Sequence, residues 1–288
     1  MNTTLRTVAL PSGEEWPALG LGTWRMGETK RARVAEVAAV REAVQLGWRL
    51  FDTAEMYGEG GAESVLGEAL NGAIAAGEVR RDELFVVSKV YPHNASRRGA
   101  VAACERSLRR LGLERIDLYL LHWRGAHPLA DTLAAFEELL LRGRIARWGV
   151  SNFDLDDMRE LFALDGGSRC AANQVWYSAG QRGSEYALLP WLAEHGVATM
   201  AYSPIDQAAL ARHGALAAIG RRLGASAAQV ALAWVLRRPG VIAIPKAVRG
   251  VHLRENLAAA AIELDPKTLL AIDAAFAPPR AETPLAMN

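Results

Sequence analysis

The stretch FDTAEMYG at residues 51–58 decides how this chain folds and what chemistry it can perform. It comes at the end of a short apolar run and presents a carboxylate, Asp52, and a phenol, Tyr57. Two later apolar runs end in an amine, Lys89, and an imidazole, His122. In a parallel barrel the carboxyl ends of the strands meet at one mouth. The pattern therefore predicts that these side chains lie together at such a mouth.

Strand-like and helix-like segments alternate outward from this stretch in both directions. Eight strands are predicted, over residues 19–24, 50–53, 84–89, 117–122, 148–152, 172–175, 198–203 and 241–246. Eight alternations favour a (β/α)8 TIM barrel forming one domain over residues 1–288. A doubly wound sheet is the weaker alternative. It requires a Gly-rich fingerprint that opens a helix, and GLGTW at 20–24 lacks the third glycine.

Local signals place several helix ends and one additional element. Residues 6–10 and 15–17 predict an N-terminal β-hairpin around a turn at 11–14. Valines 37, 40 and 44 share one helix face, and Gly47 suits the position after the helix end. Further signals are Asp131 as a helix cap with Gly143 at that helix's end, a capping box from Ser226 to Gln229, and Asp265 before Pro266.

Composition gives no sign of a nucleic-acid-binding, metal-binding or membrane protein. Lys plus Arg number 33 and Asp plus Glu 32, so the net charge of +1 gives no reason to expect nucleic acid or an anionic membrane as a partner. Cys104 and Cys170 lie far apart without metal-ligand spacing, which predicts reduced thiols and no metal site. The N-terminus has no apolar signal region, and no apolar run approaches membrane length. We therefore expect a cytoplasmic protein.

The four polar side chains have the chemistry needed to reduce a carbonyl group. A nicotinamide cofactor must supply the hydride, because no side chain can. Tyr57 can donate the proton if a nearby ammonium, that of Lys89, lowers the pKa of its phenol. Asp52 is the natural counter-ion for a buried Lys89, and a neutral His122 can donate a hydrogen bond to the same oxygen. Taken alone, each residue has another interpretation. Asp52 could cap a turn, Tyr57 could be a packed ring, and His122 could be a core histidine. Lys89 could be a Schiff-base lysine as in aldolases.

Taken together, these residues resemble the aldo-keto reductase superfamily. The resemblance continues through GVSNF at 149–153, NQV at 173–175, AYSP at 201–204 and IPK at 244–246, with Glu255 and Asn256 beyond. Tyr91 within VYP at 90–92, the pair at 122–123 and the stretch 173–183 are similar to bacterial members that reduce methylglyoxal.

The resemblance implies a role for each matching position. Tyr57 would be the general acid, Lys89 and Asp52 its tuning pair, and His122 the orienting donor. Ser151, Asn152 and Gln174 would hold the nicotinamide carboxamide, and Tyr202 would stack on its ring. The full set expected to bind NADPH is Thr23, Trp24, Ser151, Asn152, Gln174, Tyr202, Ser203, Pro204, Lys246, Ala247, Arg249, His252, Glu255 and Asn256. The substrate pocket is expected to be walled by Trp24, Tyr91 and Trp123.

Two positions depart from the pattern of many NADPH-preferring members. Ala247 stands where many have Ser, and His252 where many have Arg. Lys246 would pair with the 2′-phosphate of NADPH, and Arg249 could compensate for the departures.

We therefore expect a monomeric enzyme that reduces small aldehydes and 2-oxoaldehydes with NADPH, through a mouth left open by a short C-terminal tail. Alternative functions are reduction of sugar-derived carbonyls such as keto-gluconates, and a cofactor-binding regulatory subunit.

Overall fold

Eight parallel strands form one closed sheet in a computed structural model that describes residues 6–10 and 13–288. In chain order they are β3 (Gly20–Gly22), β4 (Leu50–Asp52), β5 (Phe85–Val90), β6 (Leu118–Leu121), β7 (Trp148–Ser151), β8 (Ala172–Trp176), β9 (Ala198–Tyr202) and β10 (Val241–Ala243). Each strand pairs with the next one along the chain. Parallel bridges from Leu19 to Ala243 and from Gly22 to Lys246 join the first strand to the last. The predicted (β/α)8 barrel is confirmed.

The predicted N-terminal hairpin is present outside the barrel sheet. Strands β1 (Thr7–Ala9) and β2 (Glu15–Pro17) pair antiparallel, with Val8 opposite Trp16. Trp16 is buried, and its ring lies 4.8 Å from that of Phe85, the first residue of β5. The hairpin therefore packs at the amino-terminal end of the barrel, away from the mouth. Of its predicted turn, residues 11 and 12 lie outside the described part of the chain.

Helices surround the sheet and cover its outer face. They are α1 (Lys30–Gln45), α2 (Gly61–Ala75), α3 (Arg97–Leu111), α4 (Leu129–Leu141), α5 (Leu155–Ala163), α6 (Leu188–Glu194), α7 (Gly214–Leu223), α8 (Ala227–Leu236), α9 (Gly250–Ala259) and α10 (Pro266–Ala275). Two helices follow β9 and two follow β10, so the alternation is not strictly one to one. Among these helices, none has the length and apolarity that a membrane crossing requires.

Most of the helix-end signals act as predicted. The Ser226 side chain accepts from the Gln229 backbone in a capping box, Asp265 caps α10, and Gly47 follows α1 with φ of 98°. The prediction that Asp131 caps α4 is wrong. The cap position of that helix is Pro128, three residues before Asp131, so Asp131 lies in the first turn. There the carboxylate can still interact favourably with the positive end of the helix dipole, although it does not cap the helix.

Several strands end one or more residues before the predicted limits. Asn152 and Ser203, predicted to end strands, have φ of 58° and 47°. Left-handed backbone cannot continue a β-ladder, so the chain turns into a loop at both positions. Lys246 joins the sheet only through its isolated bridge to Gly22. These polar residues therefore belong to loops at the mouth.

Gly27 closes the contact between the loop after β3 and the start of α2. Its φ is 72°, its N–H donates to Glu36 Oε2 at 2.9 Å, and a Cβ there would overlap the Gly61 backbone. We expect Gly27→Ala to lower the free energy of unfolding by about 2–4 kcal/mol, because left-handed strain and overpacking add. Gly77→Ala is the matched control, since Gly77 has φ of 70° but no atom within 4 Å of such a Cβ.

Urea unfolding of both variants measures the difference. Gly77→Ala should lose only about 1–2 kcal/mol, the cost of the backbone conformation alone. Equal losses of unfolding free energy in the two variants would show that the close approach of residue 27 to the Gly61 backbone adds nothing to the cost.

Candidate active site

A cavity of about 570 Å³ opens at the carboxyl ends of the barrel strands. The predicted site residues that line it are Trp24, Asp52, Tyr57, His122, Trp123, Ser151, Asn152, Gln174, Tyr202, Ser203, Pro204 and Lys246. They come from seven different strand ends or the loops that follow them. The sheet closure, rather than proximity in the chain, brings them together.

Lys89 lies at the base of this cluster and is completely buried. Its Nζ donates to both oxygens of Asp52, at 2.7 and 2.9 Å, and to the Thr53 carbonyl at 2.9 Å. The Tyr57 hydroxyl is 3.3 Å from the same nitrogen. Asp52 Oδ1 also accepts from Gln174 Nε2 at 2.8 Å. The ammonium is thus paired with a carboxylate that is itself fully hydrogen-bonded, as a buried ion pair requires.

Burial dominates the protonation behaviour of the cluster. It lowers the pKa of Lys89, an effect that the Asp52 carboxylate partly opposes. Burial also raises the pKa of Tyr57 well above its ordinary value, and the negative charge of Asp52 adds to the increase. This corrects the expectation that Lys89 makes the net pKa of Tyr57 lower than usual. The ammonium is present, but loss of water around the phenol and the nearby carboxylate outweigh it. A phenol is already protonated at neutral pH at its ordinary pKa of about 10, and Tyr57 therefore remains a hydrogen-bond donor there.

His122 follows β6 directly and faces the Tyr57 ring, with 5.6 Å between centroids and 74° between planes. Burial, with a smaller contribution from the charge of Lys89, holds the pKa of His122 well below its ordinary value of 6.5. The imidazole is therefore neutral at pH 7, which is the condition under which His122 is expected from the sequence to donate a hydrogen bond. Its Nδ1 has no hydrogen-bond partner within the part of the chain that the structure describes.

Ser151, Asn152, Gln174 and Tyr202 form a hydrogen-bonded group in the cavity lining, next to this cluster. Ser151 Oγ donates to the Gln174 carbonyl at 2.9 Å. The Asn152 amide nitrogen donates to the His122 carbonyl at 3.2 Å, and its oxygen accepts from Tyr202 Oη at 2.9 Å. The left-handed backbone of Asn152 turns its side chain into this group. Amide and hydroxyl groups thus face the cavity in fixed orientations.

The remaining predicted cofactor residues do not line the cavity; they are Thr23, Ala247, Arg249, His252, Glu255 and Asn256. Lys246 is exposed at the mouth, and Ala247 beside it is buried. Arg249, at the start of α9, is exposed, and like Lys246 it makes no ion pair with any described residue. His252 Nδ1 is 3.0 Å from Glu255 Oε2. Asn256 is buried in α9, and Thr23 is buried below the cavity, where its hydroxyl donates to the Asp52 carbonyl.

The expected aromatic wall is only partly at the cavity surface. Trp24 and Trp123 line the cavity. Tyr91 packs edge-on against Trp123, with 5.1 Å between ring centroids, and is not among the lining residues. Glu55 holds this region, because its Oε1 accepts from the Tyr91 backbone N–H at 2.8 Å. Tyr91 is therefore placed to orient Trp123.

Sequence reasoning did not identify several lining residues. They are Gly22, Arg25, Met56, Ile205, Gln207, Ala208, Ile244, Pro245, Met287 and Asn288. The last two belong to the C-terminal tail, which returns to the mouth, where Asn288 Nδ2 donates to Ser203 Oγ at 3.2 Å. The expectation that a short tail leaves the mouth open is wrong, because Met287 and Asn288, at the end of the tail, line the cavity. No local pattern in the tail indicates where it docks.

A second buried carboxylate, Glu63, braces the segment that carries Tyr57. Glu63 is completely buried near the start of α2. It accepts from Ser88 Oγ, next to Lys89, and from Arg110 Nε, both at 2.6 Å. The Arg110 side chain packs against Gly60, where φ is 88° and a Cβ would collide with the guanidinium. The only sequence signal for this group is an acidic residue in the first turn of a helix.

The depressed pKa of His122 makes stability depend on pH in a specific direction. Below about pH 6.5 the His122 imidazole becomes protonated in the unfolded chain but stays neutral in the folded chain. The free energy of unfolding therefore falls as the pH falls. Between pH 7 and 5 we expect wild type to lose up to about 2 kcal/mol more than His122→Gln. Urea unfolding at both pH values measures this difference. His195→Gln, at an exposed histidine, is the control and should keep the wild-type pH dependence. If wild type and His122→Gln lost the same free energy of unfolding between the two pH values, the pKa of His122 would not be lowered by folding.

Comparison with known proteins agrees with this geometry. Residues 18–277 match the model described as "Aldo/keto reductase family". The chain is 49% identical over 276 residues to methylglyoxal reductase YeaE of Escherichia coli, covering 94% of this chain and 95% of that protein. It is 34% identical over 275 residues to the glyoxal reductase of Bacillus subtilis, covering 95% and 94%. An aldo-keto reductase from Klebsiella pneumoniae, solved in complex with NADPH, superposes with a TM-score of 0.93 at 44% identity, covering 99% of this chain and 100% of that one. The chain therefore belongs to the aldo/keto reductase family of oxidoreductases.

Proposed function

We propose that this protein reduces small aldehydes and 2-oxoaldehydes, such as methylglyoxal, to alcohols with NADPH. The observation that carries the proposal is the cluster of Asp52, Lys89 and Tyr57 beside neutral His122, at the base of one cavity. Relatives named methylglyoxal reductase and glyoxal reductase support the substrate class. A solved relative that holds NADPH supports the cofactor.

The residues at the mouth suit a phosphorylated nicotinamide cofactor. Lys246 and Arg249 are exposed cations without carboxylate partners in the described chain, which suits a phosphate group. Ser151, Asn152 and Gln174 present the hydroxyl and amide groups that a carboxamide requires. When bound, NADPH supplies a hydride to the carbonyl carbon of the substrate.

Tyr57 supplies the proton in this proposal. Its hydroxyl donates to the carbonyl oxygen as negative charge develops there, and the resulting phenolate accepts the charge-assisted hydrogen bond of Lys89 Nζ. Asp52 keeps that ammonium charged and in place. The raised pKa of Tyr57 keeps the proton on the hydroxyl until the substrate oxygen becomes basic.

His122 orients the substrate rather than transferring the proton. Because its pKa is well below the ordinary value, the imidazole is neutral and can donate one hydrogen bond to the same oxygen. Its position edge-on to Tyr57 allows both donors to reach one carbonyl oxygen. Two donors aimed at one site stabilise the developing oxyanion more than the ground-state carbonyl.

The proposal assigns the activity to one domain spanning residues 1–288. All eight barrel strands belong to one sheet, and the family match runs from 18 to 277. Monomeric state and cytoplasmic location stay predictions from the sequence.

Replacing the proton donor tests the catalytic assignment. Tyr57→Phe should lower kcat for methylglyoxal by about 100-fold or more, the usual contribution of a positioned acid. NADPH binding, measured by quenching of tryptophan fluorescence, should persist because the ring remains. Tyr186→Phe, at a half-exposed tyrosine that does not line the cavity, is the control and should keep wild-type turnover.

Wild-type-like turnover in Tyr57→Phe would disprove the role of Tyr57. A wild-type protein that binds NADPH but reduces none of a panel of aldehydes would instead favour the regulatory-subunit alternative.

Cofactor preference tests the role of Lys246. One well-placed cation on the 2′-phosphate contributes about 1.5–3 kcal/mol, or roughly 10- to 100-fold in kcat/KM for NADPH over NADH. Lys246→Ala should remove most of this ratio, and Arg249→Ala should reduce it. Lys267→Ala, in α10 and exposed, should leave it unchanged. Equal use of NADH by wild type would overturn the NADPH assignment.

A further inference from the structure

Two arginines of α3 hold the tyrosine segment, residues 55–63, which carries Tyr57. Arg106 and Arg110 are four residues apart, so they lie on one face of the helix. The Arg106 guanidinium lies 3.3 Å from Glu55 Oε2, and Arg110 Nε lies 2.6 Å from Glu63 Oε2. One carboxylate comes before Tyr57 in the chain and the other comes after it. A single helix therefore holds the tyrosine segment at both ends.

The two carboxylates also tie the tyrosine segment to strand β5. Their side chains are buried, with 7% of Glu55 and 0% of Glu63 exposed. Glu63 accepts from Ser88 Oγ at 2.6 Å, and Glu55 accepts from the Tyr91 N–H at 2.8 Å. Ser88 lies directly before Lys89 in β5, and Tyr91 follows the end of that strand. These contacts fix the tyrosine segment relative to the strand that supplies the ammonium group.

The backbone between Tyr57 and α2 needs such external support. Gly58, Glu59 and Gly60 have φ of 56°, 53° and 88°. Three successive left-handed residues are costly, above all at Glu59, which carries a Cβ. Such conformations persist only where surrounding contacts determine them. Arg110 supplies one of these contacts, because it packs so closely on Gly60 that a Cβ there would lie 2.5 Å from its Nε.

The proposed chemistry makes the position of the tyrosine segment important. The Tyr57 hydroxyl is 3.3 Å from Lys89 Nζ, and Asp52 holds that nitrogen in place. Lys89 and Asp52 belong to strands, whereas Tyr57 lies in a short 3-10 turn between β4 and α2. The distance between the phenol and the ammonium therefore depends on what fixes the loop. Displacing a catalytic group by about 1 Å can slow the chemical step by roughly 100-fold.

We propose that the two ion pairs of α3 position Tyr57 beside Lys89 and so set the rate of the chemical step. This inference rests on the proposed reductase function and adds to it residues that act through the tyrosine segment. The positioning residues, none of which lines the cavity, are Glu55, Glu63, Arg106 and Arg110.

Substitution of each carboxylate by the matching amide breaks one ion pair at a time. In Glu63→Gln and Glu55→Gln the amide oxygen can still accept the hydrogen bond from β5, so the pairing with arginine is what is lost. The released arginines do not become buried unpaired charges, because the Arg106 and Arg110 side chains are 39% and 25% exposed.

Single-turnover kinetics distinguish a displaced Tyr57 from a loss of folded enzyme. Enzyme in excess over NADPH is mixed with saturating methylglyoxal, and the loss of NADPH absorbance is followed. Hydride transfer leaves negative charge on the oxygen that Tyr57 must neutralise, so its rate constant depends on the position of the acid. In both Gln variants we expect this rate constant to fall about 10- to 100-fold at the wild-type amplitude. The Kd for NADPH, measured by fluorescence quenching, should stay at the wild-type value.

Three further variants make the test specific. Arg110→Lys should keep part of the wild-type rate constant, because the positive charge is kept and the planar geometry is lost. The double variant Glu63→Gln/Arg110→Gln should be no slower than Glu63→Gln, since two residues that act through one contact are not additive. Glu68→Gln is the matched control. It breaks an exposed ion pair between α2 and Arg33, and it should keep the wild-type rate constant.

A reduced amplitude at the wild-type rate constant would show that the ion pairs only stabilise the fold, and it would overturn the proposal, as would unchanged kinetics. If Glu63→Gln does not fold, Glu55→Gln alone decides between these outcomes. Failure of the reductase function itself would be recognised separately, because wild type would then oxidise no NADPH with methylglyoxal or with any other aldehyde.

Discussion

The structure depends on the burial of one ammonium group, that of Lys89. Removing an ammonium from water costs several kcal/mol unless it is paired and fully hydrogen-bonded. Here the pairing comes from Asp52 at the end of the neighbouring strand β4, together with the Thr53 carbonyl and the Tyr57 hydroxyl. These groups reach Lys89 only because β4 and β5 lie side by side, with Asp52 opposite Val87. A register shift of one residue would turn Lys89 to the other face of the sheet.

The same loss of water sets the proton chemistry of the site. Burial raises the pKa of Tyr57 and lowers the pKa of His122, so at neutral pH the phenol is protonated, the imidazole is neutral, and both can donate hydrogen bonds. Asp52 keeps the buried Lys89 charged. The ammonium therefore provides a positive charge beside the Tyr57 hydroxyl, where a phenolate would form. Electrostatic interactions of this kind are stronger in a water-poor cavity than in solution. Exclusion of water therefore determines both how Lys89 must be paired and which protons the site can donate.

Strain around the mouth is concentrated in the loops rather than in the strands. Arg25, Asn152, Ser203 and the run from Asp206 to Ala208 all have positive φ. The Asp206 carboxylate anchors its loop, accepting from Trp176 Nε1 at 2.9 Å and from Ser178 Oγ at 2.6 Å. Such conformations persist only where surrounding contacts fix them. A rigid sheet thus carries loops whose unusual backbone aims side chains into the cavity, the usual division between scaffold and site.

The sequence by itself determined the barrel and the residues of the central cluster. Short apolar runs that end in Asp52, Lys89 and His122 are local patterns, and in a parallel barrel all such ends meet at one mouth. Only the tertiary structure decided how those residues behave and what surrounds them. The raised pKa of Tyr57 reflects burial by distant segments, and Tyr91 lies behind Trp123 because Glu55 anchors its backbone. The tail docks on Ser203, and Arg25 reaches the cavity from a strained turn. Desolvation, docking and left-handed backbone arise from contacts between residues far apart in the chain, so no local pattern encodes them.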